Sequence, residues 1–124
     1  MTRLVAALTG AAALLCAAQA HAIALRCEVA SRFVCEPGGC RAQEARVWNM
    51  IDFDTSRFSR CDRSGCDHYE MLVARSGIYW NIEAPARSLF AKVSDDGSSF
   101  IEVAAVQAFV QVSYGSCQRV KQPQ

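Results

Sequence analysis

Two cysteine pairs, in the segments CEPGGC and CDRSGC, are the residues of this chain best suited to chemistry. Cys35 and Cys40 are separated by four residues, as are Cys61 and Cys66. This spacing is compatible with zinc ligands, whereas the two-residue interval of a redox C-x-x-C motif is absent. Each pair also encloses turn-forming residues, so a disulfide across a tight bend is the third interpretation.

The first 22 residues favour the disulfide interpretation. A charged start at Arg3 precedes an apolar stretch, 4–18, and the small-residue ending AQAHA. This order is typical of a secretory signal peptide, and we expect cleavage after Ala22, or alternatively after Ala20. The apolar stretch is shorter than the ~20 residues of a membrane span. A lipoprotein signal is disfavoured because a leucine precedes Cys16, where lipidation requires a small residue.

Removal of the leader leaves an even number of cysteines in an exported chain, which predicts a disulfide framework and no metal. The six are Cys27, Cys35, Cys40, Cys61, Cys66 and Cys117. Two small rings, Cys35–Cys40 and Cys61–Cys66, would leave Cys27 to pair with Cys117. The sequence alone leaves an exchange of partners among the four central cysteines open.

Catalytic groups are scarce. His68 is the histidine that remains after removal of the leader, and Asp67 beside it would orient an imidazole base. Neighbouring residues on a strand point to opposite faces, so we expect an exposed histidine at a strand start. No G-x-S-x-G nucleophile elbow is present, and Ser64 lies inside the second cysteine bend. We therefore expect no enzyme activity and no cofactor.

Two further groups of side chains are candidates for binding. Asp52 and Asp54 could form a cation site, but the segment fails the calcium-loop pattern, so a strand end leading into an Asp-initiated turn is favoured. The aromatic residues allow either an exposed binding face or side chains that plug the ends of a barrel. They are Trp48, Tyr79, Trp80, Phe90 and Tyr114.

The elements that must position these groups are short strands. Apolar residues alternate with polar ones in LRCEVA, VWNMIDF, YEMLVA, IYWNIE, LFAKV, SFIEVA and FVQVSY. Turn residues such as EPGG, DRSG and DDGS separate these runs. The pattern predicts an all-β fold: a small antiparallel meander of about seven or eight strands, closing into a barrel or sandwich and stapled by disulfides. Only residues 41–46 and 103–109 are compatible with helix.

Length and charge limit the function. Residues 23–124 form one small domain, in which we expect Gln118–Gln124 to be frayed. Apart from Arg3, the chain has 12 basic residues that balance 12 acidic ones. Without a net charge there is no strong field to attract nucleic acid or anionic lipid, so we expect neither as a partner, and no membrane span after removal of the leader.

The organisation resembles small secreted, Cys-rich proteins of Gram-negative bacteria, most of which lack an assigned function. The matching features are the leader, RCEV, GGC, the IDFD and RCDRSGCDHY segments and the ending FVQVSYGSC. More loosely, the chain is similar to the periplasmic and membrane-bound inhibitors of C-type lysozyme, which are small antiparallel barrels. In that family a serine of an S-G-x-x-Y motif and a later lysine enter the lysozyme cleft.

This resemblance implies a binding site at Ser76, Gly77, Tyr79, Trp80 and Lys92. Ser76-Gly77-Ile78-Tyr79 begins as the family motif does, but the tyrosine comes one residue early and Trp80 takes its place. The expected function is a non-catalytic binding module of the cell envelope, periplasmic or secreted, whose partner is a protein such as a lysozyme. The alternative is a structural protein of the envelope with no defined ligand.

Overall fold

A computed structural model describes residues 23–121 of the chain. The expected signal peptide, residues 1–22, and residues 122–124 lie outside the described part. Within residues 23–121, no helix has the length and hydropathy needed to cross a bilayer.

Strands make up 74% of the described chain, which also contains one short 3-10 helix, Pro85–Arg87. The strands are β1 (Ile23–Glu36), β2 (Gly39–Gln43), β3 (Trp48–Asp52), β4 (Arg57–Asp62), β5 (Gly65–Glu70), β6 (Leu72–Ser76), β7 (Tyr79–Ala84), β8 (Leu89–Ser94), β9 (Phe100–Val106) and β10 (Phe109–Lys121). The predicted all-β, disulfide-stapled antiparallel fold is confirmed, with more strands than expected because each cysteine ring closes a hairpin with two strands of its own.

The strands form a single curled sheet, a half-barrel, in the order β5-β4-β3-β1-β10-β9-β8-β7-β6. The first and last strands pair with each other over most of their length, but β5 and β6 do not pair, so the predicted closing sheet is a half-barrel and not a closed barrel. β2 and β3 lie on the same side of β1. β3 pairs with the first half of β1, and β2 pairs with its second half. This order therefore ends at β5 and β6, which are neighbours in sequence, and β2 has a further edge that pairs with no described strand.

Alternation along each strand separates an inner from an outer face. The inner face holds the apolar core, whose largest buried side chains are Phe58, Phe100, Ile51 and Ile82. A hydrogen bond of 2.7 Å from Asn49 Nδ2 on β3 to Glu102 Oε2 on β9 crosses the interior. In a flat sheet the backbones of these strands, three steps apart, would be roughly 14 Å from each other. The bond therefore requires a strongly curved sheet.

All three disulfides join residues that lie directly opposite each other in the ladder: Cys27–Cys117, Cys35–Cys40 and Cys61–Cys66. The first lies in the core and links the two terminal strands, and its cysteines have a sequence separation of 90. The other two close the β1–β2 and β4–β5 hairpins. Three disulfides indicate that the folded chain belongs to an oxidising compartment.

Two expectations about local structure are wrong, and the two stretches compatible with helix are in part strand. The YEMLVA run is not one strand, because the chain breaks at Met71, whose N–H donates to the Ser56 carbonyl and whose side chain enters the core. Residues 118–121 are not frayed, because they pair with the start of β1. Residues 103–106 and 41–43 are strand, since β10 and β1 supply the partners that local propensity cannot foresee.

Two glycines permit close approaches around the Cys27–Cys117 disulfide. A Cβ on Gly115 would overlap the Glu28 carbonyl, at the point where an irregularity between Val29 and Ser31 shifts the β1–β10 register. Gly97 has φ +74, and a Cβ there would overlap the Cys117 carbonyl. The Cys117 N–H donates to the Gly97 carbonyl over 2.7 Å, which holds the β8–β9 loop against β10.

We predict that Gly115→Ala and Gly97→Ala each lower the free energy of unfolding by about 1–3 kcal/mol or more, since backbone has to move to admit the methyl group. Gly38→Ala is the matched control, because a Cβ at Gly38 meets nothing within 4 Å, and we expect a change within about 0.5 kcal/mol. Denaturant unfolding of the oxidised proteins measures all three. Equal stability of the three variants would contradict these close approaches.

Candidate functional site

The predicted binding residues Ser76, Gly77 and Tyr79 form the turn of the β6–β7 hairpin. Ser76 lies directly opposite Tyr79, so Gly77 and Ile78 make a two-residue turn. Gly77 adopts φ +58, a left-handed conformation that glycine accommodates without strain. Ile78 is 61% exposed at the tip. The hairpin thus presents an apolar side chain between a hydroxyl and a phenol.

Lys92 on β8 lies beside this turn. Its Nζ is 4.8 Å from the centroid of the Tyr79 ring, a cation–π contact that fixes the position of the ammonium group. Ser76, Tyr79 and Ser94 are aligned across β6, β7 and β8, and Lys92 is two residues from Ser94 on the same strand. Ser76, Tyr79 and Lys92 therefore share the outer face. We call Ser76, Gly77, Ile78, Tyr79 and Lys92 the hairpin corner.

The structure separates Trp80 from the hairpin corner. Trp80 faces inward, with its ring 5.2 Å from that of Phe53 and the Arg75 guanidinium 4.6 Å above it. Arg75 also forms an ion pair with Asp95, whose N–H donates to the Ile78 carbonyl over 2.8 Å. These contacts hold the β6–β7 hairpin against the β8–β9 loop. Trp80 lines an inner cleft of about 490 Å³.

Next to the hairpin corner, apolar side chains continue across the outer face in two rows. Phe33, Val112, Val103 and Phe90 are aligned in register over β1, β10, β9 and β8, and Tyr114, Ile101 and Lys92 form the next row. Phe90 is 42% exposed and Tyr114 is 45% exposed. We call Phe33, Phe90, Ile101, Val103, Val112 and Tyr114 the outer patch. Phe90 and Tyr114 therefore belong to an exposed aromatic face, which is the first of the two alternatives that the sequence allowed.

The other predicted groups have structural partners. Ser59 Oγ and His68 Nδ1 lie 2.7 Å apart on the outer face of the β4–β5 hairpin, while Asp67 faces inward. Asp52 Oδ1 accepts the N–H groups of Asp54 and Thr55, which is the expected Asp-initiated turn. Among residues 23–121, no three or more His, Cys, Asp or Glu side chains are grouped to hold a metal ion.

A cluster that the sequence analysis missed lies inside the half-barrel. We call it the inner polar cluster; its members are Arg32, Asn49, Arg60, Arg87, Glu102, Gln111 and Ser113. Arg32 Nε donates to Ser113 Oγ over 3.1 Å, and Asn49 joins Glu102 as described above. The available signal was the occurrence of polar residues at inner positions of apolar runs, such as Glu102 between Phe100 and Ala104.

Burial dominates the electrostatics of this cluster. It raises the pKa of Glu102 above its ordinary value, against the opposing influence of Arg32, Arg60, Arg87 and the Asn49 hydrogen bond. Burial also lowers the pKa of Arg32, with further lowering by Arg60 and Arg87. Each ion would be expensive to bury alone, so the two opposite charges depend on one another.

No protein-family model, curated protein or solved structure matches this chain. The function therefore has to be argued from the arrangement of its own residues.

The raised pKa of Glu102 predicts a pH dependence of stability. The neutral carboxyl is favoured in the folded state, so its stabilising contribution is complete below the ordinary pKa of about 4.5 and is lost as pH rises through the raised value. Over that window one proton changes the free energy of unfolding by at most about 1.4 kcal/mol per pH unit. Glu102→Gln keeps an acceptor for Asn49 and should remove this contribution.

Denaturant unfolding of both proteins at several pH values above 5 measures the difference. This range avoids Asp96, whose pKa is lowered to about 2 by hydrogen bonds from the Ser98 N–H and from the Ser94 and Ser98 hydroxyls. We expect Glu102→Gln to gain stability relative to wild type as pH rises. A difference that does not change with pH, or that changes in the opposite direction, would contradict the raised pKa.

Proposed function

We propose that this protein is an exported, non-catalytic binding module of the cell envelope that engages a protein partner through the hairpin corner and the outer patch. The observation that supports this most strongly is the outer patch itself. Its apolar side chains lie side by side on four adjacent strands, whereas scattered single apolar residues are the norm on a protein surface. A face of this kind suits the apolar centre of a protein interface.

The hairpin corner supplies polar groups at the border of that face. Lys92 and Ser76 offer an ammonium and a hydroxyl group, and the Tyr79 ring restrains the lysine side chain. A restrained side chain loses less conformational entropy on binding than a free one. The module would thus combine an apolar centre with a positioned cation at its edge.

The oxidising compartment indicated by the three disulfides agrees with export. Together with the leader, it supports a periplasmic or secreted location. The single histidine of residues 23–121 contacts Ser59, and Asp67 is on the opposite face of the strand, so Asp67 does not orient the His68 imidazole as a catalytic base would require.

The most concrete form of this proposal is inhibition of a C-type lysozyme. A glycosidase of this kind presents two carboxyl groups in its cleft, and an inserted ammonium and hydroxyl would find complementary charge and acceptors there. The support is the similarity of Ser76-Gly77-Ile78-Tyr79 to the inhibitor motif and the position of Lys92 beside it. The placement of Trp80 inside the half-barrel removes one of the five residues that the resemblance implied.

We predict that the wild-type protein inhibits a C-type lysozyme and that Lys92→Ala weakens inhibition by well over tenfold, since removing one partner of a buried interfacial charge pair costs about 2–5 kcal/mol. Lys121→Ala is the matched control, because it removes the same charge at the exposed far end of β10. A lysozyme activity assay gives the inhibition constants, and circular dichroism checks folding.

If micromolar wild-type protein leaves lysozyme activity unchanged, lysozyme inhibition is excluded. If both lysine variants weaken inhibition equally, the inhibition does not depend on the hairpin corner.

A further inference from the structure

The inner polar cluster contains buried polar atoms that its own hydrogen bonds do not satisfy. Within residues 23–121, the atoms of the cluster without a hydrogen-bond partner are Arg32 Nη2, Asn49 Oδ1, Arg87 Nε, Glu102 Oε1 and Gln111 Oε1. Arg32, Asn49, Glu102 and Gln111 are each more than nine-tenths buried. Leaving such groups unpaired costs free energy, so an arrangement of this kind points to a bound polar group.

The unpaired atoms are two donors and three acceptors, and this composition restricts the ligand. The donors, Arg32 Nη2 and Arg87 Nε, belong to guanidinium groups, which favour carboxylate oxygens. The acceptors belong to Asn49, Glu102 and Gln111, and an ammonium group has three N–H donors to offer them. A carboxylate and an ammonium on one small molecule would satisfy both sets.

The cluster also has an excess of positive charge and an accessible side. Arg32, Arg60 and Arg87 lie close enough to the Glu102 carboxylate to act on its pKa, and the exposed Asp67, directly opposite Arg60 in the ladder, offsets part of their charge. Arg60 and Arg87 are partly exposed, and the 3-10 helix that contains Arg87 lies against β5, beside the open seam of the sheet. A ligand entering on this side would meet two cations, which favours an additional negative charge on it.

We propose that the inner polar cluster binds a free α-amino acid, with its carboxylate on Arg32 and Arg87 and its ammonium on Glu102, Asn49 and Gln111. Acidic side chains are preferred because Arg60 and Arg87 lie on the partly exposed side of the cluster. This site lies on the opposite face of the sheet from the hairpin corner and the outer patch. The proposal is therefore independent of the proposed function, and either can fail without the other.

Isothermal titration calorimetry of the oxidised protein with individual amino acids tests this. We expect glutamate and aspartate to bind more tightly than alanine, and alanine more tightly than lysine. Acetate and methylammonium each carry one half of the recognised pair, and we expect both to bind at least tenfold more weakly than alanine, because each leaves one set of buried groups unsatisfied.

Two variants connect binding to the cluster. Arg87→Gln, on the partly exposed 3-10 helix, should weaken glutamate binding by tenfold or more through loss of a charge-assisted hydrogen bond. Arg63→Gln, in the exposed β4–β5 turn, removes the same charge outside the cluster and should leave binding unchanged. Circular dichroism and the melting temperature show whether each variant is folded.

Glu102→Gln provides a second readout, since it should weaken amino-acid binding while leaving acetate binding unchanged or stronger. The proposal is overturned if no amino acid binds, if acetate binds as tightly as alanine, or if lysine binds as tightly as glutamate. It is also overturned if folded Arg87→Gln binds glutamate as the wild type does.

Discussion

The pairing of β1 with β10 is the contact on which the rest of this structure depends. It joins the two ends of the described chain and makes one continuous sheet of two halves, β1 to β5 and β6 to β10. The Cys27–Cys117 disulfide fastens the pair inside the core, and Gly115 and Gly97 allow the backbone to pass closely on either side. Loop closure over such a span is entropically expensive, so a covalent link is most effective here.

Both faces of the sheet take their organisation from this pair. On the inner face, the Arg32–Ser113 hydrogen bond crosses from β1 to β10, and Ser113 lies opposite Glu102 on the next strand. On the outer face, the same register aligns Phe33 with Val112 and so begins the outer patch. A slip of one residue would exchange the two faces. The outer patch and the inner polar cluster therefore both depend on the register between β1 and β10.

The sequence predicted the features that depend on alternation and on turn residues. Period-two patterns located most strands, and turn residues located the hairpins at Gly38, Gly65 and Gly97. Alternation also placed Trp80 with Ile82, on the face that the structure shows to be internal. The motif resemblance placed Trp80 beside Tyr79 in a binding site, and the structure follows the alternation. At Trp80, strand alternation predicted the orientation of the side chain better than the motif resemblance did.

The features that the sequence could not predict depend on long-range register. Nothing local shows that Glu102 meets Asn49, since 53 positions separate them and the contact exists only because the sheet curls. The break at Met71 depends on a tertiary hydrogen bond to Ser56, and the ordered end of β10 depends on β1 as its partner. Arg32 illustrates the same limit, because its burial follows from closure of the sheet and not from its neighbours in sequence.

The Cys27–Cys117 disulfide, which fastens β1 to β10, is expected to stabilise the fold more than the hairpin disulfide Cys35–Cys40 does. Comparing the free energies of unfolding of the double variants Cys27→Ala/Cys117→Ala and Cys35→Ala/Cys40→Ala tests it most directly. We expect losses of about 4–5 kcal/mol for the first and about 2 kcal/mol for the second, because the two disulfides close loops of very different length. Equal losses, or a larger loss for the hairpin pair, would contradict this account.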